Sequence, residues 1–281
     1  MKWHITLGLA MNAYTSWATD RLRSMNIADS VYFISGGASG LGEAAARRLA
    51  ANGAAGVVIS DLNLEAAQKL ASELGEVALA VRVDVQNTDE IAAGMDAAIS
   101  RFGRIDAAIN CAGIGWAERT LDRENNAASI DNYRRVININ LVGTFNVTRI
   151  AASHIAKNEP QDSGERGVIV MTASLAAFDG QIGQAAYSAS KGGIVGMTLP
   201  LSRDLAATGI RVVTVAPGLI DTPIYDTMPE GLKERLASTP VFPKRLGLPD
   251  EYAHLVQAIL ENGYLNGETI RLDAALRMAP K

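Results

Sequence analysis

The sequence has little that would support disulfide, metal or membrane chemistry. Cys111 is the single cysteine among 281 residues, which excludes an intrachain disulfide and is consistent with a reducing compartment. The 3 histidines, His4, His154 and His254, are too few and too scattered to predict a metal site. No apolar run approaches the roughly 18 residues that a membrane-spanning helix requires. These absences favour a globular protein that works without a metal or a membrane.

Positive charge is also scarce. The chain has 26 lysines and arginines against 30 acidic residues, a net charge of −4. Proteins that bind the phosphates of nucleic acid usually carry an excess of basic side chains, so no nucleic-acid partner is expected. With 48% apolar residues, the chain is long enough for a large core and too short to make two ordinary domains the expectation.

Short apolar runs alternate with helical patterns from Val31 onward. The predicted strands are Val31–Ile34, Gly56–Ser60, Ala78–Val83, Ala107–Asn110, Val168–Met171, Val212–Val215 and Ile270–Leu272. Predicted helices lie at about Gly42–Asn52, at Leu64–Leu74, at Thr88–Phe102 with Thr88 as its cap, and around Tyr187 and Lys191. The pattern predicts an α/β fold: a single doubly wound domain with a parallel sheet of about seven strands and helices on both faces.

A glycine turn follows the first predicted strand. Gly36, Gly40 and Gly42 lie in Ser-Gly-Gly-Ala-Ser-Gly-Leu-Gly, immediately before a predicted helix. Glycines there let the backbone approach a pyrophosphate, and the helix N-terminus offers free N–H groups. The position of this turn between a strand and a helix predicts a dinucleotide site.

Acidic residues end the next two strands. Asp61 closes the second strand, where a carboxylate can accept hydrogen bonds from the ribose hydroxyls of NAD and would repel the 2′-phosphate of NADP. An alternative is that Asp61 caps the following helix. Asp84 could bond the adenine amino group, with Val85 covering the ring, or could simply end a strand.

Tyr187, Lys191 and Ser174 form the predicted chemical group. Tyr187 and Lys191 are one helical turn apart, so both can point into one cleft. A cation beside a phenol favours its ionised form, which an acid–base group working near neutral pH needs. A chance pairing on a surface helix would explain Tyr-x-x-x-Lys alone, but not its combination with Ser174 and the glycine turn.

The combined motifs resemble the short-chain dehydrogenase/reductases. These motifs are Gly36-x-x-x-Gly40-x-Gly42, Asn110-Cys111-Ala112-Gly113, Asn140, Ser174, Tyr187-x-x-x-Lys191 and Pro217-Gly218. The resemblance runs from about Val31 to the C-terminus and implies a Rossmann domain, for which we take residues 25–281. Residues 1–24 show no strand-turn-helix pattern and are interpreted as an N-terminal extension of doubtful function. The resemblance also implies a homotetramer.

The resemblance assigns roles to the predicted residues. Tyr187 would exchange a proton with the substrate hydroxyl, and Lys191 would lower the tyrosine pKa and hydrogen-bond the nicotinamide ribose. Ser174 would hold the substrate oxygen, and Asn140 would support a water that links Lys191 to solvent. The residues expected to touch NAD are Gly36, Ser39, Leu41, Asp61, Asp84, Val85, Cys111, Tyr187, Lys191, Ile220 and Thr222.

Substrate specificity is expected to depend on three further regions. Ser174 and Tyr187 are expected to contact the substrate at its reacting hydroxyl. Gln181 is a further candidate, for contact with the thioester region of an acyl-CoA substrate. The insertion Trp116–Ser129 and the proline-containing lid Asp221–Leu246 are predicted to shape the cleft. Asp221 in the lid and Ser35 before the glycine turn depart from the expected family pattern, and the lid difference bears on which acyl chain is preferred.

The resemblance therefore implies an NAD-dependent oxidoreductase. Its expected reaction oxidises 3-hydroxyacyl-CoA to 3-oxoacyl-CoA in fatty-acid or branched-chain metabolism. A hydroxysteroid dehydrogenase, a non-catalytic NAD-binding scaffold and an NADPH-dependent ketoacyl reductase are the alternatives. The expected compartment is cytoplasmic, or mitochondrial if residues 1–24 act as a transit peptide.

Overall fold

The computed structural model describes residues 25–223 and 231–280. The predicted N-terminal extension and part of the predicted lid, residues 224–230, lie outside this range. The described strands are β1 Val31–Ser35, β2 Gly56–Asp61, β3 Ala78–Arg82, β4 Ala107–Asn110, β5 Gly167–Thr172, β6 Ile210–Pro217 and β7 Thr269–Leu272. The α-helices are α1 Gly40–Ala51, α2 Leu64–Leu74, α3 Thr88–Phe102, α4 Ile130–Ile137, α5 Gly143–Ile155, α6 Ala185–Asp204, α7 Leu232–Ala237 and α8 Pro249–Glu261.

All seven strands form one parallel sheet in the order β3-β2-β1-β4-β5-β6-β7. The chain order reverses between β1 and β4, and in doubly wound sheets ligands bind beyond the carboxyl ends of the strands at such a point. The register aligns Ser35 of β1 with Ser60 of β2 and with Asn110 of β4. This topology confirms the predicted single doubly wound α/β fold and fixes where its ligand crevice should be.

Both faces of the sheet are covered by helices. Successive strand residues point to opposite faces, so Tyr32 and Ile34 of β1 pack with Leu49 of α1 on one side, while Phe33 packs with Ile91 of α3 on the other. Strands that are buried on both faces have nearly continuous apolar sequences, and this is why the strands could be predicted from the sequence.

The beginning of α3 differs from its prediction. Asn87, not Thr88, is the N-cap, because its side chain accepts hydrogen bonds from the backbone N–H groups of Asp89 and Glu90. Thr88 is the first helical residue, and its hydroxyl donates to Asn146 on α5. Asparagine caps helices at least as well as threonine, so local propensity could not choose between two adjacent candidates.

A buried ion pair joins Arg211 of β6 to Glu165 in the loop before β5. Arg211 and Glu165 each have only 7% of the side chain exposed, and two hydrogen bonds of 3.0 and 3.1 Å connect them. Arg211 also donates to the backbone carbonyls of Ile259, Leu260 and Leu265. The guanidinium therefore depends on Glu165 for its charge balance, while it holds the C-terminal end of α8 against the sheet.

We expect Glu165→Gln to destabilise the protein by about 1.5–3 kcal/mol, because an amide nitrogen would replace an oxygen that accepts a charged hydrogen bond. The measurement is the free energy of unfolding in urea. Glu159→Gln, at an exposed position nearby in the chain, is the control and should leave stability unchanged. Equal stabilities for the two variants would contradict a stabilising role for the buried pair.

Candidate active site

A cleft of about 920 Å³ opens at the carboxyl ends of β1 and β4. It is lined by every predicted cofactor and substrate residue: Gly36, Ser39, Leu41, Asp61, Asp84, Val85, Cys111, Ser174, Gln181, Tyr187, Lys191, Ile220 and Thr222. Asn140 is fully buried and makes its contacts beside the cleft rather than in its wall. The fold thus brings together side chains from distant parts of the sequence.

The glycine turn packs too closely for side chains. Gly36 has a φ of +66°, and a Cβ there would lie 2.6 Å from the backbone nitrogen of Ala112 in the loop after β4. A Cβ on Gly42 would overlap the carbonyl oxygen of Gly36. Both contacts exclude alanine at these positions. The turn is therefore a bare backbone surface at the start of α1, which is the form a phosphate cradle takes.

Asp61 is held at the end of β2 by the backbone. Its carboxylate accepts hydrogen bonds from the N–H groups of Ala38 at 3.1 Å and Asn63 at 2.9 Å. Helix α2 is capped by Asn63, whose side chain accepts from Ala66, so the alternative that Asp61 is the helix cap is wrong. A carboxylate has further lone pairs, which leaves Asp61 able to accept bonds from a ligand.

The Tyr187 and Lys191 side chains come from one turn of α6. The Lys191 ammonium lies 5.9 Å from the centre of the Tyr187 ring and donates a 2.8 Å hydrogen bond to the backbone carbonyl of Thr172. Ser174 precedes a short 3₁₀ turn, and its hydroxyl oxygen accepts from the N–H of Ala176 at 3.1 Å. The three side chains therefore share one end of the cleft, close to the end of β5.

Burial controls the pKa values of this group. Loss of contact with water raises the pKa of Tyr187, and a hydrogen bond from Ser174 opposes that rise without reversing it. Burial also lowers the pKa of Lys191 to about 8. The predicted lowering of the tyrosine pKa by the neighbouring cation is thus wrong for this geometry, because desolvation of the phenol outweighs the favourable contacts.

Asn140 lies in a π-helical segment, Asn138–Val142, between α4 and α5. Its side chain accepts from the N–H of Ile114 at 2.8 Å, donates to the Ile114 carbonyl at 2.9 Å and donates to Ser190 on α6 at 3.1 Å. A residue inserted into a helix in this way is frequent at functional sites. Here Asn140 ties the loop after β4 to the helix that carries Tyr187 and Lys191.

A polar cluster below Lys191 was not anticipated from the sequence. The hydroxyl groups of Thr172 and Tyr252 are 2.7 Å apart, and the Cys111 sulfur lies 3.4 Å from the Tyr252 oxygen. Burial raises the pKa of the Cys111 thiol, which opposes a nucleophilic role. Thr172 is the last residue of β5, and its carbonyl accepts the hydrogen bond from Lys191. Its position at the end of a predicted strand was the one feature of the sequence that could have marked it as a site residue.

The insertion and the lid border the cleft. Trp116 and Ala117 line it, while the Glu118 carboxylate accepts from the Trp116 indole at 3.1 Å and from the Ser129 backbone at 3.0 Å. These bonds fold the insertion Trp116–Ser129 back on itself. On the lid, Asp221 forms an ion pair of 2.7 Å with Lys233 of α7.

Within residues 25–223 and 231–280, no group of three or more His, Cys, Asp or Glu side chains could hold a metal ion. No helix in the described part of the chain combines the length and the apolar character needed to cross a membrane.

The geometry is that of an oxidoreductase site on a dinucleotide-binding fold, and comparison with known proteins agrees. Residues 30–233 match the family model of the short chain dehydrogenases. A Bos taurus protein named 3-hydroxyacyl-CoA dehydrogenase type-2 is 53% identical over 251 residues, which are 89% of this chain and 96% of the relative. The chain belongs to the short chain dehydrogenase family and is an enzyme of that class.

Solved structures give the same result. The crystal structure of 3-hydroxyacyl-CoA dehydrogenase type-2 from Mycobacterium avium superimposes with a TM-score of 0.85 at 45% identity, covering 90% of this chain and 97% of that one. The 3-ketoacyl-(acyl-carrier-protein) reductase from Brucella melitensis, solved in complex with NADH, gives a TM-score of 0.77 at 30% identity, covering 90% of this chain and all of that one. The resemblance drawn from the sequence motifs is confirmed.

Proposed function

We propose that the protein is an NAD-dependent dehydrogenase that oxidises 3-hydroxyacyl-CoA to 3-oxoacyl-CoA. The observation that carries the chemistry is the meeting of Tyr187, Lys191 and Ser174 in the cleft that the glycine turn also lines. The substrate is supported by the bovine relative and the Mycobacterium avium structure, both of which bear the name 3-hydroxyacyl-CoA dehydrogenase type-2.

NAD fits the residues of this cleft. The turn at Gly36 and Gly42 has no room for a Cβ, which suits close approach of a pyrophosphate to the backbone. Asp61 would hold the adenine ribose, Asp84 and Val85 the adenine, and Lys191 the nicotinamide ribose. The NADH complex of the Brucella melitensis relative supports a nicotinamide dinucleotide. The chemistry supplied by bound NAD is acceptance of a hydride at nicotinamide C4.

The chain's own residues handle the proton. Ser174 donates a hydrogen bond to the substrate oxygen and steadies the charge that develops there. The phenolate form of Tyr187 takes the hydroxyl proton as the carbon gives up its hydride, so the alcohol becomes a ketone. Because burial raises the pKa of Tyr187, the share of phenolate, and with it the rate of oxidation, should rise with pH. Asn140 and Thr172 hold the loop and the ammonium that flank this step. In this proposal Gln181 contacts the thioester region.

The direct test is the appearance of NADH absorbance when purified protein is mixed with NAD and 3-hydroxybutyryl-CoA. We expect sustained turnover with NAD and much weaker turnover with NADP. Absence of NADH formation with this and longer 3-hydroxyacyl-CoA substrates would refute the proposed substrate. The assay also excludes the scaffold alternative, since a protein that only binds NAD would not turn over.

Cofactor choice is expected to depend on Asp61. Replacing it with alanine, together with Leu62→Arg at the exposed neighbouring position, removes the charge that repels a 2′-phosphate and supplies one that attracts it. The ratio of kcat/KM for NADP to that for NAD should rise by at least about tenfold. A tenfold change requires a difference of only about 1.4 kcal/mol in the relative binding free energies of the two cofactors. Leu62→Arg alone is the control, and it should shift the ratio less. An unchanged ratio in the double variant would rule out Asp61 as the discriminating residue.

A hydroxysteroid is the second candidate substrate. Trp116, Leu236 and Met278 contribute apolar surface to the cleft, which a rigid ring system could cover. Turnover of a panel of hydroxysteroids beside the acyl-CoA series decides between the two. A higher kcat/KM for a steroid would make it the preferred substrate without changing the proton and hydride chemistry.

Assembly and compartment complete the proposal. A homotetramer is supported by exposed apolar side chains at Val142, Phe145 and Leu199, which lie on the π segment, α5 and α6. Light scattering of the purified protein measures its mass directly.

We propose a cytoplasmic protein, or a mitochondrial one if residues 1–24 direct import, and a fusion of those residues to a reporter tests the second alternative.

A further inference from the structure

The chain turns sharply after β7. Ala274 and Ala275 have φ values of 50° and 59°, a left-handed conformation that is unfavourable for alanine because of its Cβ. Two such residues in succession persist only where the surrounding structure holds them, and strain of this kind collects at functional sites. The turn redirects the segment Leu276–Pro280, which we name the C-terminal tail, back toward the cleft.

A charged cluster holds the base of the tail. Arg271 donates to Asp273 at 2.7 Å, to Asp179 at 2.6 Å and to the carbonyl of Leu276 at 3.2 Å. Its guanidinium also lies over the Phe178 ring, 4.9 Å from the ring centre. Phe178 and Asp179 belong to the loop that leads into α6. One arginine thus connects the strained turn to the loop before the Tyr187 helix.

The far end of the tail is bonded to the same loop. The side-chain amide of Gln181 donates to the carbonyl of Ala279, and the backbone N–H of Ile182 donates to the carbonyl of Pro280, both at 3.0 Å. Leu276 is buried at the start of the tail. Both ends are therefore anchored, and Met278 lies between them and lines the cleft.

The position of the tail in the sheet assigns its side of the cleft. β7 is the edge strand beyond β6, whereas the glycine turn and Asp61 follow β1 and β2 on the opposite half. Ser174 follows the end of β5, and Lys191 of α6 bonds the last carbonyl of that strand. The tail therefore lies past the reacting group, away from the proposed adenine end. A wall there faces the substrate.

We propose that the C-terminal tail is a wall of the substrate cleft and that Met278 is a specificity-determining residue that limits the length and bulk of the acyl chain. This inference rests on the proposed function for the identity of the chain. Methionine suits such a wall because its unbranched, flexible side chain adapts to ligands of different shape. Gln181 then anchors the wall through Ala279, besides facing the cleft.

The test compares kcat/KM for 3-hydroxybutyryl-CoA with that for 3-hydroxyhexadecanoyl-CoA. Met278→Trp adds bulk to the wall and should lower the ratio of long-chain to short-chain kcat/KM by at least about tenfold, as expected of a crowded apolar pocket. Met278→Ala removes bulk from the wall and cannot clash with its neighbours. It should raise the ratio of kcat/KM for the branched substrate 3-hydroxy-2-methylbutyryl-CoA to kcat/KM for 3-hydroxybutyryl-CoA. Arg277→Lys is the matched control, because Arg277 is an exposed neighbour on the tail that does not line the cleft, and lysine keeps the positive charge that pairs with Asp273.

Two measurements separate the possible failures. NADH binding, followed by fluorescence, should be the same in all variants, and a parallel loss of NADH affinity would overturn the assignment of Met278 to the substrate side. If wild-type protein oxidises both acyl-CoA substrates but the kcat/KM ratios are the same in the variants, the assignment of the tail as a wall of the substrate cleft is wrong and the proposed function stands.

If wild-type protein oxidises only steroid alcohols, the proposed substrate is wrong. The wall is then tested by whether Met278→Trp discriminates against the bulkier of two steroids, and it fails if both respond alike.

Discussion

Tyr187→Phe is expected to reduce alcohol oxidation by about 10²–10⁴-fold, the range that a positioned acid–base group contributes. The phenol is the side chain that can exchange a proton with a substrate held by Ser174. Phenylalanine keeps the ring and its packing on α6 but has no oxygen. NAD affinity should be nearly unchanged, because the nicotinamide ribose is assigned to Lys191. The measurements are kcat/KM from NADH absorbance and the Kd for NADH from fluorescence.

Tyr264→Phe is the matched control, since Tyr264 is 99% exposed and removal of its hydroxyl should leave activity intact. Full turnover by Tyr187→Phe would show that another group moves the proton. A joint loss of activity and NADH binding would point instead to a collapse of the cleft. Only the selective loss of turnover supports the assigned role.

The fold could be predicted well because its signals are local. The buried parallel strands read as apolar runs, and the glycine turn reads as a strand-to-helix connection. Helix α2 has the predicted bounds, Leu64–Leu74. The cap of α3 was placed one residue late, since Asn87 and Thr88 are both good caps and only the backbone conformation distinguishes them.

The cofactor and substrate residues predicted from the sequence line one cleft, but the sequence did not predict how the fold shifts their pKa values. Spacing brought Tyr187 and Lys191 to one helix face, yet it carried no information about how far the fold removes them from water. Desolvation is a tertiary effect, and it reversed the expected direction of the Tyr187 pKa. The contact between Gln181 and Ala279 was equally out of reach, because it joins parts of the chain that only the folded sheet brings together.

Lys191→Met is expected to lower kcat/KM by about 10²–10³-fold, the range seen when one electrostatic stabiliser is removed from a preorganised site. Methionine has a similar length but no charge, so it can neither hold the nicotinamide ribose nor bond the Thr172 carbonyl. Lys69→Met, at an exposed position on α2 outside the cleft, should retain activity and is the control.

The same substitution should stabilise the fold at neutral pH. Burial lowers the Lys191 pKa from 10.5 to about 8, so the folded protein carries a cost of about 3 kcal/mol for holding the protonated amine. Loss of the hydrogen bond to Thr172 offsets about 1 kcal/mol of the gain. We therefore expect Lys191→Met to unfold at a higher urea concentration than wild-type protein at pH 7, despite its much lower kcat/KM.

The pH dependence of that difference identifies its cause. Below about pH 8 the amine is protonated in both the folded and the unfolded wild-type protein, and the stability gap is largest. Between about pH 8 and 10.5 the unfolded wild-type chain binds more protons than the folded one. The free energy of unfolding of the wild-type protein therefore increases with pH in this window, whereas the variant has no amine at this position to titrate. The gap between Lys191→Met and wild type should narrow across this window. A gap that stays constant with pH would mean that altered packing, and not a buried charge, separates the two proteins.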